Sequence, residues 1–341
     1  MKLIDTTSAV GHILCHDITQ IIKDTKKDVV FKKGHIIREE DIDVLLSVGK
    51  RHLYVWENQP GMVHENDAAQ VLYNMCKDEH MTGTPVKEGK IDLIALNDGL
   101  LKVDTKRLET INCLGEIIIA TRHGNFPIKK GDKIAGTRII PLTIDEKKLK
   151  EAQNIAGDTP LLSILPYTHK KVGIITTGSE VYNGLIKDAF GPVIREKLSH
   201  FDVEVLGQKI VDDCQDSIVA ALKEFIDMGA DFICCTGGMS VDPDDVTPSA
   251  IGALGAEIVS YGAPVLPGAM FLLAYYNKTI PIVGLPGCVM YSKRTVFDLI
   301  LPRLMADDKI TATDIAKMGH GGLCLCCDVC TFPNCGFGKG M

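Results

Sequence analysis

The chain has 341 residues, 45% of them hydrophobic, and a formal net charge of -7. That length is enough for two or three domains of roughly 100–200 residues each, and the acidic balance argues against a nucleic-acid partner. No apolar run reaches the ~18 residues of a membrane span and no apolar h-region follows Met1, so no membrane association or secretion is expected. The 12 cysteines are then thiols or metal ligands of a cytoplasmic protein rather than disulfides. Those scattered before residue 324, singly or as the pair Cys234-Cys235, are expected to be buried thiols.

Residues 1–65 read as a small α+β segment. Val29-Val30-Phe31 is a strand closed by a turn at Gly34. Arg38 to Gly49 has an acidic first turn, apolar residues at helical spacing and a closing glycine. Leu53-Tyr54-Val55-Trp56 is a further strand. Trp56, His52 and His64 are packing or surface groups rather than ligands.

Residues 66–165 read as a β-rich domain and linker. A helix starts at Asn66. Apolar runs at 91–96, 100–103, 116–120 and 134–140 then alternate with turns such as Asn97-Asp98-Gly99. The charged, Ala-rich stretch 143–157 is a connecting helix.

From residue 166 to 306 strands and helices alternate, the pattern of an α/β fold with a mostly parallel sheet and right-handed crossovers. Strands are expected at 172–178, 203–211, 231–235 and 280–284, and helices at Ala189–His200, Ser217–Met228 and from Leu285-Pro286-Gly287 to about Ala306. Pro302 should perturb the end of the last helix.

Three of these strands end in loops of similar character: Thr177-Gly178-Ser179-Glu180, Thr236-Gly237-Gly238 and Leu285-Pro286-Gly287. In open α/β sheets, ligands bind outside the carboxyl ends of the strands. Adjacent glycines let the backbone approach a ligand closely, and the N–H groups opening the next helix favour an anion. Asp242, Asp244 and Asp245 crowd the same loop, and Glu180, Asp188, Asp212 and Asp213 extend the acidic rim. Carboxylates beside an anion call for a bridging cation, which points to Mg²⁺. The composite is a phosphate-bearing ligand held in one crevice.

The order of these signatures resembles the molybdopterin-binding domain shared by MoeA, MogA and gephyrin. It runs Thr177-Gly178-Ser179-Glu180 with Gly184-x-Ile186-x-Asp188, Ile210-Val211-Asp212-Asp213, Thr236-Gly237-Gly238-x-Ser240-Val241 with Asp245, and Gly284-Leu285-Pro286-Gly287. Segments such as Gly11 to Ile18, Gly34-His35-Ile36-Ile37 and Leu45 to Gly49 are similar to the MoeA N-terminal region. The resemblance implies a three-layer α/β domain that holds molybdopterin or molybdenum cofactor. MoeA-like members insert molybdenum from molybdate into adenylated molybdopterin with a divalent cation. It makes Glu180, Asp213 and Asp245 the catalytic carboxylates. Thr177, Gly178, Ser179, Asp188, Gly237, Gly238, Ser240, Pro286 and Gly287 become the cofactor-binding set. It also implies a homo-oligomer.

The chain departs from the family pattern. The usual Gly-Asp-Glu is Gly178-Ser179-Glu180, and the usual Leu-Pro-Gly-Asn-Pro is Leu285-Pro286-Gly287-Cys288-Val289. The MoeA lid run Met-Asp-Gly-Tyr-Ala is absent, and MoeA's C-terminal β domain has no counterpart after Ala306. A non-catalytic carrier that delivers finished cofactor to a molybdoenzyme client is therefore the first alternative. A nucleotide-processing enzyme of the CinA type, which shares this domain, is the second.

Residues 307–341 read as a Cys-rich, metal-binding tail. Cys327-x-x-Cys330 suits a tetrahedral metal, with Cys335 and either Cys324 or Cys326 completing four thiolates. Zn²⁺ and an iron–sulfur cluster both fit the spacing. The tail holds too few apolar residues to fold alone and is expected to be disordered without metal.

Overall fold

The computed structural model describes residues 1–22, 26–56 and 60–340. The chain divides into two compact units. The first comprises residues 1–96, 103–122 and 131–163; the second comprises 97–102, 123–130 and 164–341.

In the first unit, Lys2–Asp5 pairs antiparallel with His52–Val55, and Ile18–Ile22 pairs antiparallel with Lys26–Phe31. These strands and the helix Asp41–Ser47 bury Leu14, Ile18, Ile37, Leu45, Leu53 and Val55 in a small core. The helix Glu65–Cys76 follows, with Ala68, Ala69, Leu72, Met75 and Cys76 buried on one face. The β-rich part is an antiparallel four-stranded sheet in the order 81–83, 90–95, 133–139, 117–121.

His64 is buried, a neutral acceptor at Nδ1 for the Asn66 N–H, while Nε2 donates to the Cys15 carbonyl at 2.8 Å. Burial pushes its pKa below the usual histidine value. Trp56 is half exposed.

The second unit is built on a six-stranded sheet. Its strands are β1 (Lys170–Thr177), β2 (Val203–Val211), β3 (Phe232–Thr236), β4 (Glu257–Tyr261), β5 (Leu272–Tyr276) and β6 (Ile280–Leu285). The spatial order is β2-β1-β3-β6-β5-β4. The first four run parallel, while β5 is antiparallel to both β6 and β4.

The antiparallel pair β4–β5 is absent from the strands expected of the sequence. Its strands are joined by a ten-residue connection with prolines at 264 and 267 rather than by a short hairpin turn.

Strand residues alternate between two cores, as a sheet covered on both faces requires. Val172, Ile174, Cys234 and Val283 face one core with Ile194, Phe297, Ile300 and Leu304. Ile175, Ile233, Cys235 and Ile282 face the other with Leu222, Phe225 and Ile251. The helices of this unit are α1 (Ser179–Tyr182), α2 (Phe190–Leu198), α3 (Gln215–Asp227), α4 (Thr247–Ala253), α5 (Val296–Met305) and α6 (Ala312–Lys317).

Helix α5 opens on a capping box between Thr295 and Asp298 and runs through Pro302 for three more residues. Burial of Cys76 and Cys235 pushes each thiol up to about 12. Cys113 and Cys214, expected to be buried with the other scattered cysteines, are exposed instead.

The tail packs onto the second unit rather than lying free. Leu323 bridges Leu266 in parallel, and the Cys324 N–H donates to the Leu266 carbonyl at 2.8 Å. Phe337 is buried in the core cluster, with Phe332, Cys324 and Cys335 packed against it. The apolar partners that the tail lacks in its own sequence are supplied by the sheet unit. Among the described residues, no helix is long and apolar enough to cross a membrane.

Candidate functional site

A crevice of about 740 Å³ opens at the carboxyl ends of β1, β3 and the neighbouring parallel strand β2. Its walls come from three loops. Thr177, Gly178, Ser179 and Glu180 leave β1; Asp213 follows β2; Gly237, Gly238, Asp242, Asp244 and Asp245 follow β3. Ile186, Lys187, Phe190 and Met290 close the remaining sides.

The glycine pair is held by geometry that excludes other residues. Gly237 and Gly238 sit at φ +84° and +55°, in the left-handed region that favours glycine. A Cβ on Gly237 would collide with the Thr177 carbonyl oxygen, and one on Gly238 would lie 2.8 Å from Thr247 Oγ1. Thr247, fully buried at the start of α4, donates its hydroxyl to the Gly237 carbonyl at 2.9 Å and lies 3.2 Å from Thr177 Oγ1. The two threonines thus lock the loop from β1 to the loop from β3, leaving bare backbone as one wall of the crevice.

The acidic residues divide by what they already bind. Asp213 Oδ2 accepts the Ser179 N–H at 2.7 Å, fastening the β2 loop to the β1 loop. Asp245 Oδ2 accepts the Asp242 N–H at 3.3 Å within its own turn. Glu180 heads the one-turn helix α1.

Among the described residues, no three His, Cys, Asp or Glu side chains are placed to hold a metal ion by themselves. Carboxylates on three separate loops, two of them tied to backbone, do not converge on a point. The donor set fits Mg²⁺ in a different way: this ion is commonly held by one or two carboxylates, with phosphate oxygens and water completing its shell.

Several expected residues lie elsewhere. Asp188 does not line the crevice. Its carboxylate accepts N–H bonds from Phe190 and Gly191 at the start of α2, and a third from Gln208 Nε2 at 2.6 Å. Ser240, Pro286 and Gly287 are also outside the lining. The Ser240 carbonyl accepts from the Tyr261 hydroxyl at 3.1 Å, and Met290, three residues after Gly287, takes the place on the wall. Lys187 is the one cation among the lining residues. It occupies the unspecified position before Asp188 in the motif, so the motif gives no signal for it.

The tail cysteines Cys324, Cys326, Cys327, Cys330 and Cys335 do not gather round one ion. They line a second cavity of about 260 Å³ instead.

Comparison with known proteins adds the family. Residues 173–306 match the family described as a probable molybdopterin binding domain. This region, residues 173–306, is therefore similar to the molybdopterin-binding domain of molybdenum-cofactor biosynthesis proteins. Residues 3–57 match a separate family described as a domain of unknown function.

The chain is 25% identical over 237 residues to the molybdopterin molybdenumtransferase of Synechococcus elongatus, a match covering 66% of this chain and 56% of that protein. It is 36% identical over 90 residues to a CinA-like protein of Mycobacterium avium, covering 26% of this chain and 21% of that one. The chain therefore matches about half of the first relative's length and about a fifth of the second's. Among solved structures, the molybdopterin biosynthesis enzyme MoaB of Thermus thermophilus is similar at 23% identity and a TM-score of 0.34. That match covers 42% of this chain and 98% of MoaB.

Proposed function

We propose that the crevice binds the phosphate-bearing pterin, and that the protein inserts molybdenum from molybdate into molybdopterin or its adenylated form with Mg²⁺. The observation that supports this reading is one crevice combining the Gly237–Gly238 backbone and Lys187 with Glu180, Asp213, Asp242, Asp244 and Asp245. Bare backbone and a lysine favour an anion; carboxylates favour a cation. A phosphorylated ligand with Mg²⁺ satisfies both.

Glu180 and Asp245 would hold the ion together with ligand oxygens. Bound there, Mg²⁺ neutralises phosphate charge and polarises an oxygen at the reacting centre. Asp213 positions the Ser179 backbone and so the mouth of the β1 loop. Thr177 and Thr247 keep the glycine wall rigid, which spares the ligand the entropy of ordering it.

A carrier role is the second reading, and Ser179 favours it. Where the resembled family has a carboxylate, this chain presents a hydroxyl, which weakens cation binding more than pterin binding. The test is molybdenum incorporation by the full chain supplied with molybdopterin, molybdate and Mg²⁺. Incorporation that stops on chelation of Mg²⁺ supports insertion. Saturable pterin binding without incorporation supports the carrier. Nucleotide hydrolysis without pterin binding would move the protein to the CinA type.

A further inference from the structure

The cavity that holds the five tail cysteines lies outside the crevice and takes no part in the proposed reaction. Three of its cysteines fall at intervals of three: Cys324-x-x-Cys327-x-x-Cys330. That run is the C-x₂-C-x₂-C spacing of bacterial iron–sulfur ligation, in which successive thiolates wrap a cluster too large for one coordination point. Cys335 follows on the same cavity wall, after Pro333.

Zinc would draw four sulfurs to about 2.3 Å from a single centre. These residues instead line a cavity of about 260 Å³, more space than one ion fills.

The rest of the wall suits an anionic, sulfide-bearing guest. Four thiolates outweigh the positive charge of a cubane core, so the assembly is negative, and both Lys293 and Arg294 line the cavity. Lys293 is fastened by its ammonium to the Asp328 carbonyl at 2.9 Å. Arg294 Nη1 is held at 2.9 Å by Asp298, a buried carboxylate that also accepts Lys197. The guanidinium lies 5.0 Å over the Phe332 ring, and its buried Nε has no hydrogen-bond partner. The same guanidinium hydrogen-bonds the Cys330 side chain, and hydrogen bonds to cluster sulfur are an established way in which proteins tune such centres. Phe332 and Phe337 supply an apolar side.

We propose that this cavity binds a [4Fe–4S] cluster through Cys324, Cys327, Cys330 and Cys335, with Arg294 donating a hydrogen bond to its sulfur. Cys326 is the spare thiol. It stands at φ +51°, and its Sγ is directed to the Cys324 carbonyl at 3.8 Å.

The test is iron, zinc and acid-labile sulfide analysis of the full chain purified without oxygen, beside Cys327→Ser and Cys326→Ser. The proposal expects about four irons and four sulfides per chain in the native protein and in Cys326→Ser, and neither in Cys327→Ser. Pterin binding retained by Cys327→Ser shows that the variant is folded. If that variant also loses pterin binding, Arg294→Gln, which keeps all four thiolates, should retain iron but shift the visible spectrum of the cluster. Zinc at one per chain without sulfide, metal-free anaerobic protein, or full iron in Cys327→Ser would overturn the assignment.

Discussion

The two cavities of the sheet unit are made of different material. The crevice is shaped by backbone: positive-φ glycines, strand ends and amide–carboxylate ties set its walls. The cysteine cavity is shaped by side chains on irregular chain, steadied by two phenylalanines and an arginine. Backbone-built sites depend on the fold and tolerate little change at a few glycines. Side-chain-built sites tolerate backbone variation and fail when one donor atom is replaced. One connection joins the two, since Met290 lines the crevice and Lys293 and Arg294 line the other cavity.

The largest expected effect tests the backbone claim. Gly237→Val combines a left-handed φ with a collision against the Thr177 carbonyl. It should abolish pterin binding by titration and lower the melting temperature, because such strain alone costs about 1–3 kcal/mol. Unchanged affinity would show that this wall does not meet the ligand.

The carboxylates come next. Asp245→Asn and Glu180→Gln keep side-chain shape and remove charge. Each should lower Mg²⁺-dependent incorporation tenfold or more, since a hydrogen bond to a charged group contributes about 1.5–3 kcal/mol. Asp213→Asn should behave differently, because the amide oxygen still accepts the Ser179 N–H. A rate loss for Asp213→Asn equal to that of Glu180→Gln would show that Asp213 does more than fasten the loop.

A smaller effect sharpens the lock between loops. Thr247→Val keeps shape but removes the hydroxyl donated to Gly237. A lost buried hydrogen bond of about 1–2 kcal/mol should lower the melting temperature by about 2–8 °C and weaken pterin binding several-fold. Thr247→Ser should restore both.

These contrasts also explain what the sequence could disclose. Glycines and carboxylates at strand ends announce a backbone-built site, because few residues other than glycine survive there. The parallel strands β1, β2, β3 and β6 are legible as apolar runs between turns. The β4–β5 pair is not, because its partners are separated by a long Gly- and Pro-bearing connection. Asp188 reads as a ligand contact because its motif position matches. The competing demand is the start of α2, whose free N–H groups its carboxylate satisfies. Lys187 and Met290 carry no motif signal, and only the folded loops bring them to the crevice. The tail's packing is illegible for a related reason: Phe332 and Phe337 find their apolar partners in α5 and the sheet, far away in sequence.

The smallest effect lies in the other unit and serves as a control. His64 is buried neutral with its pKa below 6.5. The unfolded chain then binds the proton more readily than the folded one. Stability should therefore fall as pH drops through 6.5 toward the lower folded value, and level off below it. His64→Gln should flatten that part of the profile and leave pterin affinity at pH 7 unchanged. A melting profile equally steep in the variant would assign the slope to other groups, such as His16, whose pKa burial also lowers.

The most direct test of the central claim is a titration of molybdopterin into the full chain with and without Mg²⁺, repeated on Lys187→Glu. Lys187 is exposed, so reversing its charge leaves the fold intact. The account predicts saturable binding at one pterin per chain that tightens with Mg²⁺ and weakens by up to about fivefold in the variant. Binding that is absent, or indifferent to both Mg²⁺ and Lys187, would contradict it.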